Sequence, residues 1–387
     1  MMPIGIDYTA AVQQTAGIGR YVRGLTAALA DQHPALDARL FVAGAAGIDL
    51  PPAPGGFRYC PSALSERAHA RLWHHLRLPV PVEVWTGRVG LFHAMDFTLP
   101  PTLPGTRTVL TVYDLAYERY PAETMPGMQR YLTTVVPRSV RRADRVIAIS
   151  EATHRDLIDL YGTPPDKLRV VTPGVEPRFN AHHTPEEDTA VRSKYGLPSG
   201  PLVLTVGTMQ PRKNHRRLVQ AFAQVCQQGV RDATLAIAGG KGWAYEDVRA
   251  EARRLGISER VAFIGFVDDA DLPALYRAAT VFAYPALYEG FGLPVLEAMA
   301  CGVPVVTSNA SSLPEVTGAD GALLVDPLDV EALAGAIARL LADDALRVSL
   351  RERGLERAAG FMWERSAQAL WAVYEELIAD GAPLRWR

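Results

Sequence analysis

The stretch Tyr288–Val306, YEGFGLPVLEAMACGVPVV, reads as a loop, a short helix and a strand in direct succession. Pro294 suits a first helical turn, where its missing N–H would be unbonded anyway. Gly302 suits the left-handed position that ends a helix, and Pro304 prevents continuation. The helix therefore covers about Leu293 to Cys301, and VPVV follows as a strand. Outward from this unit the same alternation runs along the whole chain, which is the α/β signature. PLVLTVGT, ATLAIAGG, RVAFIGFV and VFAYPAL are strand-like in the second half; PIGIDY, DARLFVAG, GLFHA, RTVLTVYD and DRVIAIS are strand-like in the first. A first helix is expected near Ile18–Ala30. TPGVEPRFNAHHTPEED, rich in Pro and charge, reads as a linker and puts a boundary near residue 180. The expectation is two doubly wound parallel sheets, which bind ligands at the carboxyl ends of their strands.

Bulk properties agree with that outline. A chain of 387 residues suits two domains of about 150 to 200 residues each. Its 48% hydrophobic and 21% charged residues are those of a soluble protein with sizeable cores. A net charge of -2 points away from nucleic acid as a partner. Cys60, Cys226 and Cys301 are odd in number and far apart, with no C-x-x-C, so a reducing compartment is expected, without disulfide or zinc site. The opening MMPIGIDYTAAV reads as a short strand rather than a leader. No apolar run nears the roughly 18 residues that a membrane span needs. The protein is expected to be cytoplasmic.

The chemistry starts from the same stretch. A helix beginning at Leu293 presents the N–H groups of Phe291, Gly292 and Leu293 with a partial positive charge, which favours an anion. Gly290 and Gly292 keep the backbone approach open. Glu297, one turn in, leans back toward the helix start and can reach hydroxyls beside that anion. Glu289 precedes the helix and can reach the other side. A diphosphate carrying a sugar at each end, a sugar nucleotide, fits this arrangement. A second element, VLTVGTMQPRKNHRRLVQAF, is a strand, a loop containing Gly207, and a helix expected to be capped by Asn214. Arg212 and Lys213 sit at the strand's carboxyl end, where two cations would stabilise a leaving diphosphate. The Asp269-x-Asp271 pair has the look of a metal chelate, but it opens a helical run where carboxylates cap, so no metal is expected. No G-x-G-x-x-G follows a first strand, so the fingerprint of a nicotinamide dehydrogenase is missing.

These segments resemble the retaining GT-B glycosyltransferases, specifically glycosyltransferase family 4. The best motif is the E-x7-E of EGFGLPVLE. GTMQPRKN, FIGFVDDADLPALYRAATVFAYPALYEGFG and GVPVVTSNASSLPEV are similar to the family's neighbouring segments in order and spacing, and TAGIGRYVRGL, TVYDLAYERYP and VIAISEATHRDL are similar in the first half. The resemblance implies two facing Rossmann-like domains with the active site in the cleft between them. Residues 1–180 would form an acceptor domain, 181–365 a donor domain, and a last helix over about 366–387 would pack back on the first.

The resemblance also implies roles. Glu297 would hold ribose hydroxyls, Glu289 the transferred sugar, and Phe291, Gly292 and Leu293 the diphosphate or sugar through backbone bonds. Arg212 and Lys213 would neutralise the β-phosphate beside Gly207. Gly17 and Gly19, on a first loop, would approach the phosphates or acceptor, and Phe266 and Val267 would face the base. Many members carry His before the Asp of TVYDL, near the reacting sugar; here Tyr113 precedes Asp114, which the resemblance puts with Glu289, Arg212 and Lys213 among the catalytic residues, and His93 of LFHAMDF could stand on the acceptor side with Tyr113. The implied activity is metal-independent, cofactor-free transfer of a hexose with retention, mannose from GDP-mannose being favoured. The acceptor would be a glycan or lipid-linked glycan of envelope or polysaccharide biosynthesis. RAHARLWHHLRL and MQRYLTTVVPRSVRRADR interleave arginines with apolar residues and could touch an anionic inner-membrane surface. A non-catalytic nucleotide-sugar-binding subunit, or a GT-B phosphorylase or epimerase, stays open as the alternative.

Overall fold

Runs of Val, Ile, Leu and Ala buried on both faces suit interior strands of a parallel sheet, and such runs build both sheets here. The computed structural model describes residues 3–379 apart from 16, 183 and 231. Among these residues the chain forms two compact units. One holds the N-terminal part through Gly174 with a return from Met362; the other is Val175–Phe361. Both breaks precede, by a few residues, the positions 180 and 365 read from the sequence.

The first unit carries β1 (Ile4–Asp7), β2 (Ala38–Val42), β3 (Arg58–Pro61), β4 (Leu91–Ala94), β5 (Arg107–Val112), β6 (Arg145–Ala148) and β7 (Leu168–Val170). All pair in parallel in the order β3-β2-β1-β4-β5-β6-β7. Its core gathers Phe92, Leu110, Val112 and Val146. Helix Gly17–Gln32 buries Tyr21, Val22, Leu25 and Leu29, one stripe of a 3.6-residue period. Against it packs helix Trp363–Ala379. A Cβ on Gly24 would lie 2.4 Å from the Trp363 ring, so only glycine lets that ring seat. The remainder of the expected 366–387 helix, beyond Ala379, lies outside the described residues.

The second unit carries β8 (Leu202–Val206), β9 (Thr234–Ala238), β10 (Val261–Gly265), β11 (Val281–Tyr284), β12 (Val305–Ser308) and β13 (Leu323–Val325), also all parallel, in the order β10-β9-β8-β11-β12-β13. Helices His215–Gln227 and Val330–Ala342 cover one face through Leu218, Phe222, Leu333 and Ile337. The linker is not irregular throughout: the Thr184 hydroxyl accepts from the Glu187 N–H at 3.3 Å and opens helix Pro185–Lys194. The acids of VDDADLPALY do not cap the helix Leu272–Arg277 that they precede. Asp271 takes Lys194 Nζ at 2.5 Å and the Tyr195 hydroxyl at 2.7 Å, and Asp269 takes Arg178 Nη2 at 2.9 Å. Cations within reach outcompete the exposed helix N–H groups for both carboxylates.

Candidate active site

In each sheet the strand order reverses once, between β1 and β4 and between β8 and β11. Loops leaving the carboxyl ends of such a strand pair diverge and leave a crevice. In the second unit those loops are Gly207–Asn214 and Pro285–Gly292. Asn214 joins them. Its backbone is left-handed (φ 62°) and its side chain makes no helix cap, contrary to the sequence reading. Instead its Nδ2 donates to the Pro285 carbonyl at 2.9 Å and the Pro327 carbonyl at 2.7 Å. Asparagine tolerates the left-handed region, and there its amide reaches two neighbouring loops rather than its own helix.

Held this way, Arg212, Lys213 and Glu289 meet. Lys213 Nζ donates to Glu289 Oε1 at 2.5 Å and to the Tyr284 hydroxyl at 2.7 Å. Tyr284 donates to the same carboxylate at 3.0 Å. Arg212 Nη1 stands 3.3 Å from Glu289 Oε2 and donates to the Tyr288 carbonyl at 3.0 Å. Burial alone would push the Glu289 carboxyl up; Lys213 and then Arg212 overcome it and hold the group below its ordinary range. Two cations thus stand against this carboxylate at the crevice. A Cβ on Gly207 would sit 3.9 Å from the Tyr284 ring and 4.0 Å from Lys213, so this glycine belongs to the same group.

The helix that follows is Leu293–Ala300. Its first ladder bonds run from the Val295 and Leu296 N–H groups to the Gly292 carbonyl, so the N–H groups of Phe291, Gly292 and Leu293 precede the ladder. Gly292 has φ 111°, and a Cβ there would lie 2.7 Å from Leu313. Ser312 Oγ pins the loop by donating to the Glu289 and Phe291 carbonyls at 2.9 and 2.7 Å. Glu297 is buried one turn into the helix and accepts from the Tyr276 hydroxyl at 2.9 Å. Phe266, at the carboxyl end of β10, is 67% exposed, whereas Val267 is buried.

The sequence reading missed His215 beneath this cluster. It is 2% exposed, and its ring nitrogens have no hydrogen-bond partner among the described residues. Burial, then Lys213, pushes it down to about 3, so it stays neutral. Tyr284, the last residue of VFAY, was missed as well; its place at a strand's carboxyl end was the available signal.

The other expected residues lie in the first unit. Gly17 and Gly19 are not on a loop but in the first turn of helix Gly17–Gln32. There the Gln14 carbonyl stands 1.9 Å from where a Gly19 Cβ would be. His93 is fully buried, its Nδ1 2.7 Å from the Tyr374 hydroxyl and its Nε2 2.8 Å from the Thr111 hydroxyl. Burial pushes it down to about 3, and it bolts the last helix to β4 rather than meeting an acceptor. Tyr113 is equally unavailable: buried, its hydroxyl donates to the Met95 carbonyl at 2.6 Å. Asp114 accepts from the Ala116 N–H at 2.9 Å in a local turn.

What the reversal point of the first sheet does offer is a recess lined by Asp7, Asp96, Tyr131 and Trp73. Burial pushes Asp7 up to about 6. Burial, with Asp7 and Glu66 adding to it, pushes Asp96 up to about 7. Asp7 ends β1 and Asp96 lies two residues beyond β4, and the parallel pairing of the two strands brings them together.

Comparison with known proteins identifies the family. Residues 188–357 match the family described as Glycosyl transferases group 1, and residues 15–179 match Glycosyltransferase Family 4. The chain is 37% identical over 288 residues to O-antigen chain mannosyltransferase B of Escherichia coli, covering 74% of each. It is 38% identical over 250 residues to D-inositol 3-phosphate glycosyltransferase of Acidothermus cellulolyticus, covering 62% of this chain and 55% of that relative, little more than half its length. Among solved structures, sucrose-phosphate synthase from Thermosynechococcus elongatus superposes with a TM-score of 0.78 at 24% identity, over 98% of this chain and 100% of that one. That likeness supports the fold, two Rossmann-like parallel-sheet domains of the GT-B class. With both halves matched and a relative covered over most of its length, the chain belongs to glycosyltransferase family 4.

Proposed function

We propose that the protein transfers a hexose, mannose by preference from GDP-mannose, to a glycan or lipid-linked acceptor of envelope polysaccharide, with retention and without a metal. The observation that carries this is the Arg212–Lys213–Glu289 cluster beside a helix start at the reversal point of the second sheet. A departing nucleoside diphosphate needs cations at its β-phosphate and N–H donors at its oxygens, and no general acid. Arg212 and Lys213 supply the first, Phe291, Gly292 and Leu293 the second. Glu289, ionised at neutral pH, accepts hydrogen bonds from hydroxyls of the transferred sugar, and Glu297 accepts those of the ribose. The acceptor hydroxyl attacks the face the leaving group departs from and passes its proton to a departing phosphate oxygen. The preference for mannose is supported by the name of the 37% identical relative. Among the described residues no helix is long and apolar enough to cross a membrane. A lipid-linked acceptor would be met by peripheral contact at the cytoplasmic face.

A thermal-shift panel with GDP-mannose, UDP-glucose, UDP-GlcNAc, GDP and UDP, with and without EDTA, tests the reading. A ligand at 100 times its dissociation constant stabilises by about 2.7 kcal/mol. Guanine nucleotides alone should stabilise, equally with EDTA. A shift with uridine nucleotides instead would refute the donor, and no shift with any would sink the nucleotide-sugar site itself.

A further inference from the structure

Beside helix Pro126–Arg142 the first unit holds a cavity of about 330 Å³ to which the transfer reading assigns nothing. Arg77, Arg138, Arg142 and His74 line it, and Trp73 and Val135 supply apolar wall. Arg142 is fixed by neutral partners: its Nη1 and Nη2 donate to the Leu99 and Pro100 carbonyls at 3.0 and 2.9 Å. Among the described residues no carboxylate forms an ion pair with these three arginines. Like charges around one concavity repel one another and raise the local concentration of anions. The backbone that delivers Arg77 is unusual. Arg71–His75 forms a π turn, closed by the Leu76 N–H on the Arg71 carbonyl at 2.8 Å, and Arg77 itself is left-handed at φ 54°. Both features concentrate at functional sites. Leu78, which lines the cavity, is 42% exposed, and Leu76, next to Arg77 in the chain, is 67% exposed.

The cavity shares Trp73 and His74 with the recess that holds Asp7 and Asp96. The two compartments have opposite character. Carboxyl groups bind hydroxyls and repel a phosphate; unpaired guanidiniums select one. We propose that the arginine-lined cavity binds the phosphate or diphosphate ester of an amphipathic acceptor, with its apolar chain over Leu76 and Leu78 and its sugar in the Asp7–Asp96 recess. The acceptor role rests on the transferase reading, whereas the binding of an amphipathic phosphate does not.

The test uses the full chain and farnesyl diphosphate as probe, followed by calorimetry at constant ionic strength and by the His74 imidazole resonances. Saturable binding is expected, with inorganic pyrophosphate and farnesol each weaker by roughly tenfold or more, since each supplies half of the contacts. The Arg77→Gln/Arg138→Gln double variant should lose at least about tenfold while the calorimetric transition of the first unit stays at its wild-type temperature, which shows that this unit folds. Arg212→Gln should leave farnesyl diphosphate binding intact, separating this site from the donor site. Undiminished binding by the double variant, or a His74 response reproduced by potassium chloride, would overturn the proposal. So would binding to phosphatidylglycerol vesicles with none to farnesyl diphosphate, which would make the cavity a bilayer headgroup contact. Probe binding by a protein that neither transfers the sugar of any sugar nucleotide to a lipid-diphosphate-linked sugar nor hydrolyses the donor would keep the site and sink the transferase reading.

Discussion

Glu289 keeps its charge in a nearly dry place because Lys213 and Arg212 stand against it. A carboxyl held below its ordinary value, 4.5, contributes stability above that pH and loses it as pH falls through the folded value. Lys213→Met lets burial reassert itself and raises the carboxyl, with Arg212 alone remaining at 3.3 Å. The variant should lose about 2 kcal/mol at pH 7, with the gap from wild type closing toward pH 4, and transfer should fall on the order of 100-fold. Equal losses at both pH values in urea titrations would sink the charge account. Asp96 runs the other way. Its value is raised from 3.8 to about 7, so its contribution is full below about pH 4 and is lost as pH rises through 7. Asp96→Asn should therefore match wild type at pH 4 and exceed it by on the order of 2 kcal/mol at pH 8, while acceptor use declines; urea titrations at the two pH values check this. Glu289 and Lys213 were legible because their charges stand inside glycine- and proline-marked loops. Asp96 was not, since a lone acid in HAMDF becomes informative only when Ile6 of β1 pairs with His93 of β4.

The short helix Leu293–Ala300 could be read from its punctuation, because Pro294, Gly302 and Pro304 each permit few backbone states. The loop before helix His215–Gln227 could not. Asparagine ahead of a helix looks like a cap, yet a left-handed Asn214 directs its amide to the loops after β11 and β13. That choice depends on partners distant in sequence. Asn214→Ala would leave two buried carbonyls without their donor, each worth about 1–3 kcal/mol, and would put a residue that tolerates the left-handed region less well than asparagine at φ 62°. A loss of about 3 kcal/mol is expected, with a raised KM for the donor sugar nucleotide. Asn214→Gly relieves the backbone but not the carbonyls, so it should recover only a minor share of the stability. Full recovery by glycine in urea titrations would show that the loops do not depend on the amide.

At the scale of the molecule, strand-like runs alternating with helical periods announced two parallel sheets, because a strand buried on both faces has few other uses. The place of the last helix is not legible in its own pattern: SAQALWAVYEELIADG shows an apolar stripe without saying what covers it. Gly24 answers from the other end of the chain by leaving room for Trp363. Tyr374 binds His93, while Arg145 and Arg169 both reach Glu376 at 2.6 Å. The ion pairs are part-exposed and contribute little. The aromatic contacts and buried Leu370 and Leu377 contribute far more, roughly 1.5–3 kcal/mol for each large side chain. A chain ending at Phe361 should therefore lose cooperative folding of the first unit, whose sheet and helix Gly17–Gln32 would face water along that stripe. Residues Val175–Phe361 contain their own sheet and core, so expressed alone they should unfold cooperatively and still be stabilised by the donor nucleotide. In calorimetry the shortened chain should show one transition preserved near its original temperature and the other lowered or gone. A single transition at the wild-type temperature would mean that the last helix is dispensable to the unit it crosses back to cover.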